Sequence, residues 1–524
     1  MTEKITRKEF LRLAAAATTS AALASYAGAV AAQNTASDAT SLVSGNQSRI
    51  LIRGADVLTM DLALGEQMAT DVLIDNGRIA AIGVGLSADG AEVIDAQGMI
   101  LMPGMIDGHR HVWETISLGY MSKLAPIAYP YFPWARSAIL AMEPEDHYIA
   151  ELAGGLQAID SGVTSIVDFA HCADTEAKVM DAAQGLKDSG IGGYFAFQLG
   201  KSTPPFKLGD TINSLESLNQ PRETTKEQWN TATQLKEEMF NDRASPLQLA
   251  LAPVTGTGSQ IEEIKDDWAQ VRSYGTKMLA AHMHKPNPNR YYPAGVMGHT
   301  DSGVPDLQEA GLLGPDYHVA HANRLTAEEL QMFKINGCSI AATTMGEFPY
   351  MGWGAWRGPS VHGRARQAGV RVGIGMDVPL ALPGDYFEHV RGSFWNQYTS
   401  PEGLAIANTY QGVDSLDFVT ALGAKAIHRE TEVGTITVGK SADLVLLNTD
   451  RLGFGTLGSL GNRILTFATR EDIDSVWIAG QAKKRHGEML GVDLSSIKAR
   501  LLEAQTRVHK KIASITWNVV FPDS

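Results

Sequence analysis

Cysteine is nearly absent: Cys172 and Cys338 are the only two in 524 residues. Two thiols cannot build a disulfide framework, so a small disulfide-stapled scaffold is excluded. Positive charge is also short, with 44 Lys and Arg against 58 Asp and Glu and a formal net charge of −14. That balance argues against a broad phosphate-binding surface and against nucleic acid as a partner. Beyond the amino-terminal segment no run reaches about 18 uninterrupted apolar residues, the minimum for a membrane-spanning helix. Nor is there an internal repeat or a low-complexity block. What is present is a hydrophobic share of 44% with 19% charged residues, the balance of a soluble chain with a large core and not of a disordered one. The length allows about three domains, and 52 glycines imply many tight turns.

The amino terminus reads as a targeting segment. Residues 1–13 (MTEKITRKEFLRL) carry Lys4, Arg7, Lys8 and Arg12, and 14–32 is Ala-rich and uncharged. Charged-then-apolar is the order of an export signal, and Ala29-Val30-Ala31 supplies a small-x-small cleavage site. The reading is a signal peptide over 1–32 and a flexible lead-in over 33–47. Thr6-Arg7-Lys8-Glu9-Phe10-Leu11 resembles a twin-arginine signal, with Lys8 where the second arginine is usual. An uncleaved anchor is the alternative, although the stretch is alanine-weak and near the lower length limit for a span. The expectation is a periplasmic or secreted protein with no stable membrane insertion after cleavage.

Short alternating runs follow, at 50–58 (ILIRGADVL) and 71–82 (DVLIDNGRIAAI), the second centred on Asn76-Gly77. Asn-Gly between apolar alternations signals a hairpin, because both residues tolerate positive φ. Similar runs lie at 444–447 and 475–479. Two β-rich pieces flanking a long middle predict one small β-sandwich from both chain ends, over 48–103 and 431–485. Between them eight apolar runs alternate with helical stretches: 100–106, 165–169, 193–198, 247–254, 277–282, 318–321, 339–343 and 371–376. Eight βα units close a (β/α)8 TIM-type barrel over 104–430, with catalytic groups at the carboxyl ends of its strands. The fold class is therefore α/β. In the tail, 486–524, the residues Ile497, Leu501, Ala504, Val508 and Ile512 share one helical face and predict a helix packed on the body.

The most informative stretch is Met102-Pro-Gly-Met-Ile-Asp-Gly-His-Arg-His111. His109 and His111 follow a buried strand with period two, so both imidazoles point to one side and form half of a metal site. Taken alone, such a pair is also a common surface coincidence. Its context is more specific. Pro-Gly-x-Ile-Asp-x-His-x-His, preceded by Ile94-Asp95-Ala96-Gln97-Gly98, resembles the first-strand signature of the amidohydrolase superfamily. The resemblance reaches from about Ile50 to Gly480, including Val433-Gly-Thr-Ile436 and Val438-Gly-Lys-Ser-Ala-Asp-Leu444.

The resemblance implies further ligands from strands five, six and eight, where His282, His321 and Asp377 each end an apolar run. The stretch His321-Ala-Asn-Arg-Leu-Thr-Ala-Glu-Glu-Leu330 resembles the branch of cytosine, guanine and adenosylhomocysteine deaminases and triazine hydrolases. That branch implies one divalent metal ion on His109, His111, His282 and Asp377, with His321 contacting substrate and water as acid or electrostatic group. Three nitrogens and a carboxylate suit Zn2+, with Fe2+ or Mn2+ compatible. Binuclear relatives bridge two metals with a strand-four lysine. The predicted fourth strand (LQLALAPV) has none, and Lys201 is a weak alternative.

On strand five the sequence departs from the deaminases, whose His-x-x-Glu uses the glutamate as a proton shuttle; here the run is His282-Met283-His284-Lys285. Protonated lysine has no acceptor and cannot copy glutamate. His284 shares a strand face with His282 and offers acid–base chemistry near neutrality, so His284 and Lys285 are either catalytic or loop residues before Pro286. Aromatic residues cluster after strand one (Trp113, Tyr120, Tyr129, Tyr131, Phe132, Trp134) and after strand seven (Phe348, Tyr350, Trp353, Trp356) although they are 7% of the chain. Trp113, Tyr131, Trp134, Trp353 and Trp356 in mouth loops are candidates for an apolar wall against a flat ring, or for plain loop packing. His171, after strand two, is a further mouth candidate.

Together these features lead to an expectation of hydrolysis at a C–N bond (amide, cyclic amide or aryl C–N) of an aromatic or heterocyclic small molecule. Asp377 would bind the metal and take the proton of the attacking water. The alternatives are deamination or dechlorination of a heteroaromatic ring, and a homologue that has lost activity. A small-molecule substrate and a homo-oligomer are the expected partners, the latter because relatives are commonly dimers or larger.

Overall fold

The computed structural model describes residues 49–121, 128–200, 203–214, 224–254, 261–283, 303–346 and 360–519. The expected signal and lead-in, His284 and Lys285, Trp353 and Trp356, and Lys201 lie outside them. Among the described residues no helix is long and apolar enough to cross a membrane.

Eight strands pair in chain order into one parallel sheet: Met105–Arg110, Val163–Ala170, Gly192–Gln198, Leu247–Ala252, Leu279–Met283, Tyr317–His321, Ser339–Ala342 and Arg371–Ile374. They are called here the first to eighth barrel strands. Register is fixed by direct pairs such as Leu249 with Phe195, His282 with Ala320 and Ile340 with Val372. A bridge between Arg110 and Asp377 brings the eighth strand's end to the first and closes the barrel. The second strand is buried at every position, which explains why these runs are mostly apolar and not alternating: helices cover the outside while the barrel core fills the inside. That inner core is built from Ile106, Val167, Phe169, Tyr194, Ala196, Ala250 and Met278. Helices between strands stop at left-handed glycines, as Glu176–Ser189 does at Gly190 and Ala327–Asn336 at Gly337.

The run 100–106, expected as one strand, is divided. Ile100–Pro103 pairs with Leu444–Leu447 in the outer sheet, and Met105 begins the barrel. The break falls at Pro103-Gly104, where proline lacks a donor. A Cβ on Gly104 would lie 2.2 Å from Thr164 Oγ1, so only glycine lets the chain cross there. Strands from both chain ends join one nine-stranded sheet that branches at Arg49–Leu58 and surrounds its own apolar core, including Ile52, Val72, Leu101, Leu446 and Trp477. The tail forms the helix Leu494–Ile512 with Ala504, Val508 and Ile512 buried. It then adds Thr516–Trp517 beside Thr211–Ile212. His509 Nε2 meets Ser117 Oγ at 2.9 Å, seating this helix on the turn that follows the first barrel strand.

Candidate metal centre and active site

Strand ends deliver the reactive groups. The first strand runs into a single 3-10 turn, Val112–Ser117, and leaves the His109 and His111 rings 4.7 Å apart and nearly perpendicular. The eighth strand leads into Asp377, whose N–H donates to the His109 carbonyl and whose carbonyl accepts from the His111 N–H, both at 2.9 Å. Such an approach requires glycine at 375, since a Cβ there would sit 2.6 Å from the His109 carbonyl oxygen. The fifth strand brings His282 within 3.2 Å of His111, Nε2 to Nε2. Asp377 Oδ1 stands 3.5 Å from Nε2 of both His109 and His111.

One ligand atom from each of His109, His111, His282 and Asp377 lies within 4.8 Å of all the others. The donor set fits a divalent cation. His111 Nδ1 faces the Phe169 carbonyl at 3.0 Å; a carbonyl only accepts, so Nδ1 carries the proton and Nε2 is left with its lone pair toward the site. His109 Nε2 is buried and makes no hydrogen bond among the described residues, a costly arrangement unless a ligand or ion meets it. Three imidazole nitrogens and one carboxylate, in a nearly water-free setting, are the ligand types of a mononuclear zinc-type site.

His321 ends the sixth strand with its ring 5.4 Å from those of His109 and His282 and Nδ1 2.9 Å from Thr343 Oγ1. Both His321 and Asp377 are left-handed, at φ 74° and 75°. Non-glycine residues there cost about 1–3 kcal/mol each and gather at functional sites.

Beside the ligands lies a hydrogen-bonded aromatic layer. The His171 ring is 4.1 Å from that of His111, and Trp113 Nε1 donates to His171 Nδ1 at 3.2 Å. Tyr131 O–H donates to Glu114 Oε1 at 2.8 Å and lies 3.4 Å from His171 Nε2. Glu114 is fully buried, and among the described residues its Oε2 has no hydrogen-bond partner. Burial, with the negative charge of Asp377 adding to it, holds the Glu114 carboxyl well above the usual carboxylate range. Below the ligands, Asp168 Oδ1 accepts from the Val112 N–H at 3.1 Å and pins the turn after His111.

Residues 100–483 match the amidohydrolase family pattern. The chain belongs to the amidohydrolase family. It is a metal-dependent hydrolase of carbon–nitrogen bonds. Among curated relatives, this amidohydrolase is 26% identical over 481 residues to a 5-methylthioadenosine/S-adenosylhomocysteine deaminase of Carboxydothermus hydrogenoformans, covering 89% of this chain and 99% of that one. It is 26% identical over 446 residues to a 5'-deoxyadenosine deaminase of Methanothermobacter thermautotrophicus, covering 84% and 94%. Among solved structures, an adenosine deaminase from Xanthomonas campestris with bound zinc superposes with a TM-score of 0.70 at 19% identity, covering 88% of this chain and 99% of that one. A mutant of the atrazine chlorohydrolase of Arthrobacter aurescens TC1, with zinc and atraton, gives 0.70 at 20% identity, covering 87% of this chain and 100% of that one. At these identities the two structures speak for the fold.

In this amidohydrolase the four expected ligands converge and His321 stands beside them. Of the aromatic candidates, Tyr131 and Trp134 are placed differently from the expected mouth loop. Tyr131 and Trp134 belong to the helix Ala128–Ala141, which contains Pro133. Trp113 and Trp134 stack on one another at 5.0 Å and 7°, and both are buried, so the pair forms a packed backing to His171. Sequence reasoning missed Glu114. The available signal was its position three residues beyond His111, where one 3-10 turn returns a side chain toward the strand end.

Proposed function

We propose that this amidohydrolase hydrolyses a C–N bond on an aromatic or heterocyclic ring, releasing an amine or ammonia. The observation that carries the reading is the buried four-ligand cluster with His321 beside it. The adenosine-type deaminases among its relatives support the same reading, and the chlorohydrolase, named for a C–Cl bond, shares only the ring substrate. A divalent cation, with Zn2+ favoured by the donor set, would be held by His109, His111, His282 and Asp377; when bound it supplies Lewis acidity and lets water ionise near neutral pH. Asp377 takes the proton of the attacking water and passes it to the leaving nitrogen as the C–N bond breaks and a C–O bond forms. His321, oriented by Thr343, faces the oxygen and nitrogen substituents of the reacting carbon. Glu114 offers its buried carboxyl as a second proton-exchanging group, in a chain whose strand five lacks the shuttle glutamate. Export through residues 1–32 would place this chemistry outside the cytoplasm.

Hydrolysis of an amide or cyclic amide is the second reading, favoured by Lys285 in the glutamate's place. Zinc-loaded protein incubated with an aminated purine nucleoside, an aminotriazine and a cyclic imide separates the two. Ammonia or amine release from a ring supports the first, a new carboxylate supports the second, and turnover of none by metal-loaded protein refutes both.

A further inference from the structure

Away from the metal centre, a cavity of about 710 Å³ opens at the amino-terminal ends of the third, fourth and fifth barrel strands. The metal ligands lie at the opposite, carboxyl ends. Among the residues lining it is Tyr194, 1% exposed, whose hydroxyl has no hydrogen-bond partner among the described residues. A buried hydroxyl in that state costs free energy unless something entering the cavity meets it.

The cavity's walls are aromatic and fixed. Phe240 stacks on Phe195 at 6.1 Å and 10°, and Tyr274 stacks on Trp229 at 6.0 Å and 22°. The Tyr274 hydroxyl is tied to the Trp229 carbonyl at 3.1 Å. Four basic side chains line the space against two acidic ones, in a chain whose overall balance is −14. Lys277 and Arg429 both spend their charge on Glu432, at 2.7 and 2.9 Å. Lys236 and Arg243 do not: among the described residues neither makes an ion pair, and Lys236 rests 5.5 Å over the Tyr274 ring. Lys236 is presented by a π-helical turn, Leu235–Met239, an uncommon conformation that often marks functional positions.

We propose that this cavity is a second ligand site, separate from catalysis, for a small aryl carboxylate. The carboxylate meets Lys236 and Arg243, the ring lies between Phe240 and Tyr274, and the Tyr194 hydroxyl donates to the buried end. The proposal is independent of which C–N bond the metal centre hydrolyses.

Calorimetric titration of benzoate into zinc-loaded protein tests it. One benzoate per chain is expected, weakened about tenfold or more in Lys236→Ala/Arg243→Ala, whose exposed side chains are removable without loss of core. Tyr194→Phe is expected to weaken it about threefold. The His282→Ala variant, which lacks a metal ligand, is expected to bind benzoate as the parent does. Inorganic phosphate, lacking a ring, is expected to bind about tenfold more weakly than benzoate. Benzoate binding lost in His282→Ala but kept in the double variant would place it at the metal and overturn the proposal. So would no binding up to about 10 mM, or phosphate binding equal to benzoate.

Discussion

Substituting Gly375 by alanine probes how the barrel's closure builds the metal centre. The new Cβ would lie 2.6 Å from the His109 carbonyl oxygen, 2.7 Å from its nitrogen and 3.0 Å from its Cα. All three are backbone atoms, so no side chain can swing aside. Ordinary contact begins at 3.4 Å, and the first and eighth strands must therefore part by about 0.8 Å. Those strands carry His109, His111 and Asp377, joined by two backbone hydrogen bonds of 2.9 Å that the opening would stretch. Ligand constellations tolerate displacements of about 0.5 Å. The expected result is a metal affinity lower by about 10- to 100-fold, with an overpacking cost of about 1–3 kcal/mol. Chelator competition measures the first and urea unfolding the second. Gly346→Ala is the control: its Cβ would be 3.6 Å from Leu382 and 3.7 Å from Asp377 Oδ2, ordinary contacts near the same carboxylate, and it should match the parent in both assays. Gly375→Ala holding metal within about threefold of the parent at unchanged stability would refute the claim that strand closure sets the ligand geometry.

Trp134→Ala should destabilise by about 3–5 kcal/mol, because it empties a buried stacked position; a cost near zero in chemical denaturation would show that Trp134 is not core. Thr343→Val should leave metal content unchanged and lower kcat, since it removes the 2.9 Å partner of His321 Nδ1 and changes none of the four metal ligands; an unchanged kcat counts against His321 as an oriented group. His362 gives a pH test. Burial pushes its pKa down to about 4 from 6.5, so the folded state binds fewer protons. The stability it contributes is present above about pH 6.5 and is lost as pH falls toward 4. Between pH 7 and 5 the parent should lose about 2 kcal/mol relative to His362→Gln; parallel stability curves for the two would contradict the neutral imidazole.

How much of this was legible in the sequence follows from where the information lies. His109 and His111 could be read from their spacing after a buried strand, whereas His282, His321 and Asp377 followed from the resemblance to the amidohydrolases, which implies which barrel strand ends supply ligands. Gly375 could not, since its role depends on a neighbouring strand more than 260 residues away in sequence. Nor could the left-handed φ of His321 and Asp377, because His and Asp adopt it more often than most residue types but still only at a small minority of positions. The Pro103-Gly104 break was hidden inside one apolar run: composition does not show that a chain changes sheets. Tyr131 and Trp134 are expected in a mouth loop after strand one, yet three-residue spacing puts both on one buried face of a helix that also holds Pro133.

The central claim is that His109, His111, His282 and Asp377 hold one catalytic divalent ion. Metal analysis by plasma mass spectrometry, run beside activity on the same preparations of parent and His282→Ala, tests it most directly. The account predicts about one equivalent of metal in the active parent, with metal and activity falling together in the variant. A variant that keeps both, or a parent that turns over substrate after complete removal of metal, would contradict it.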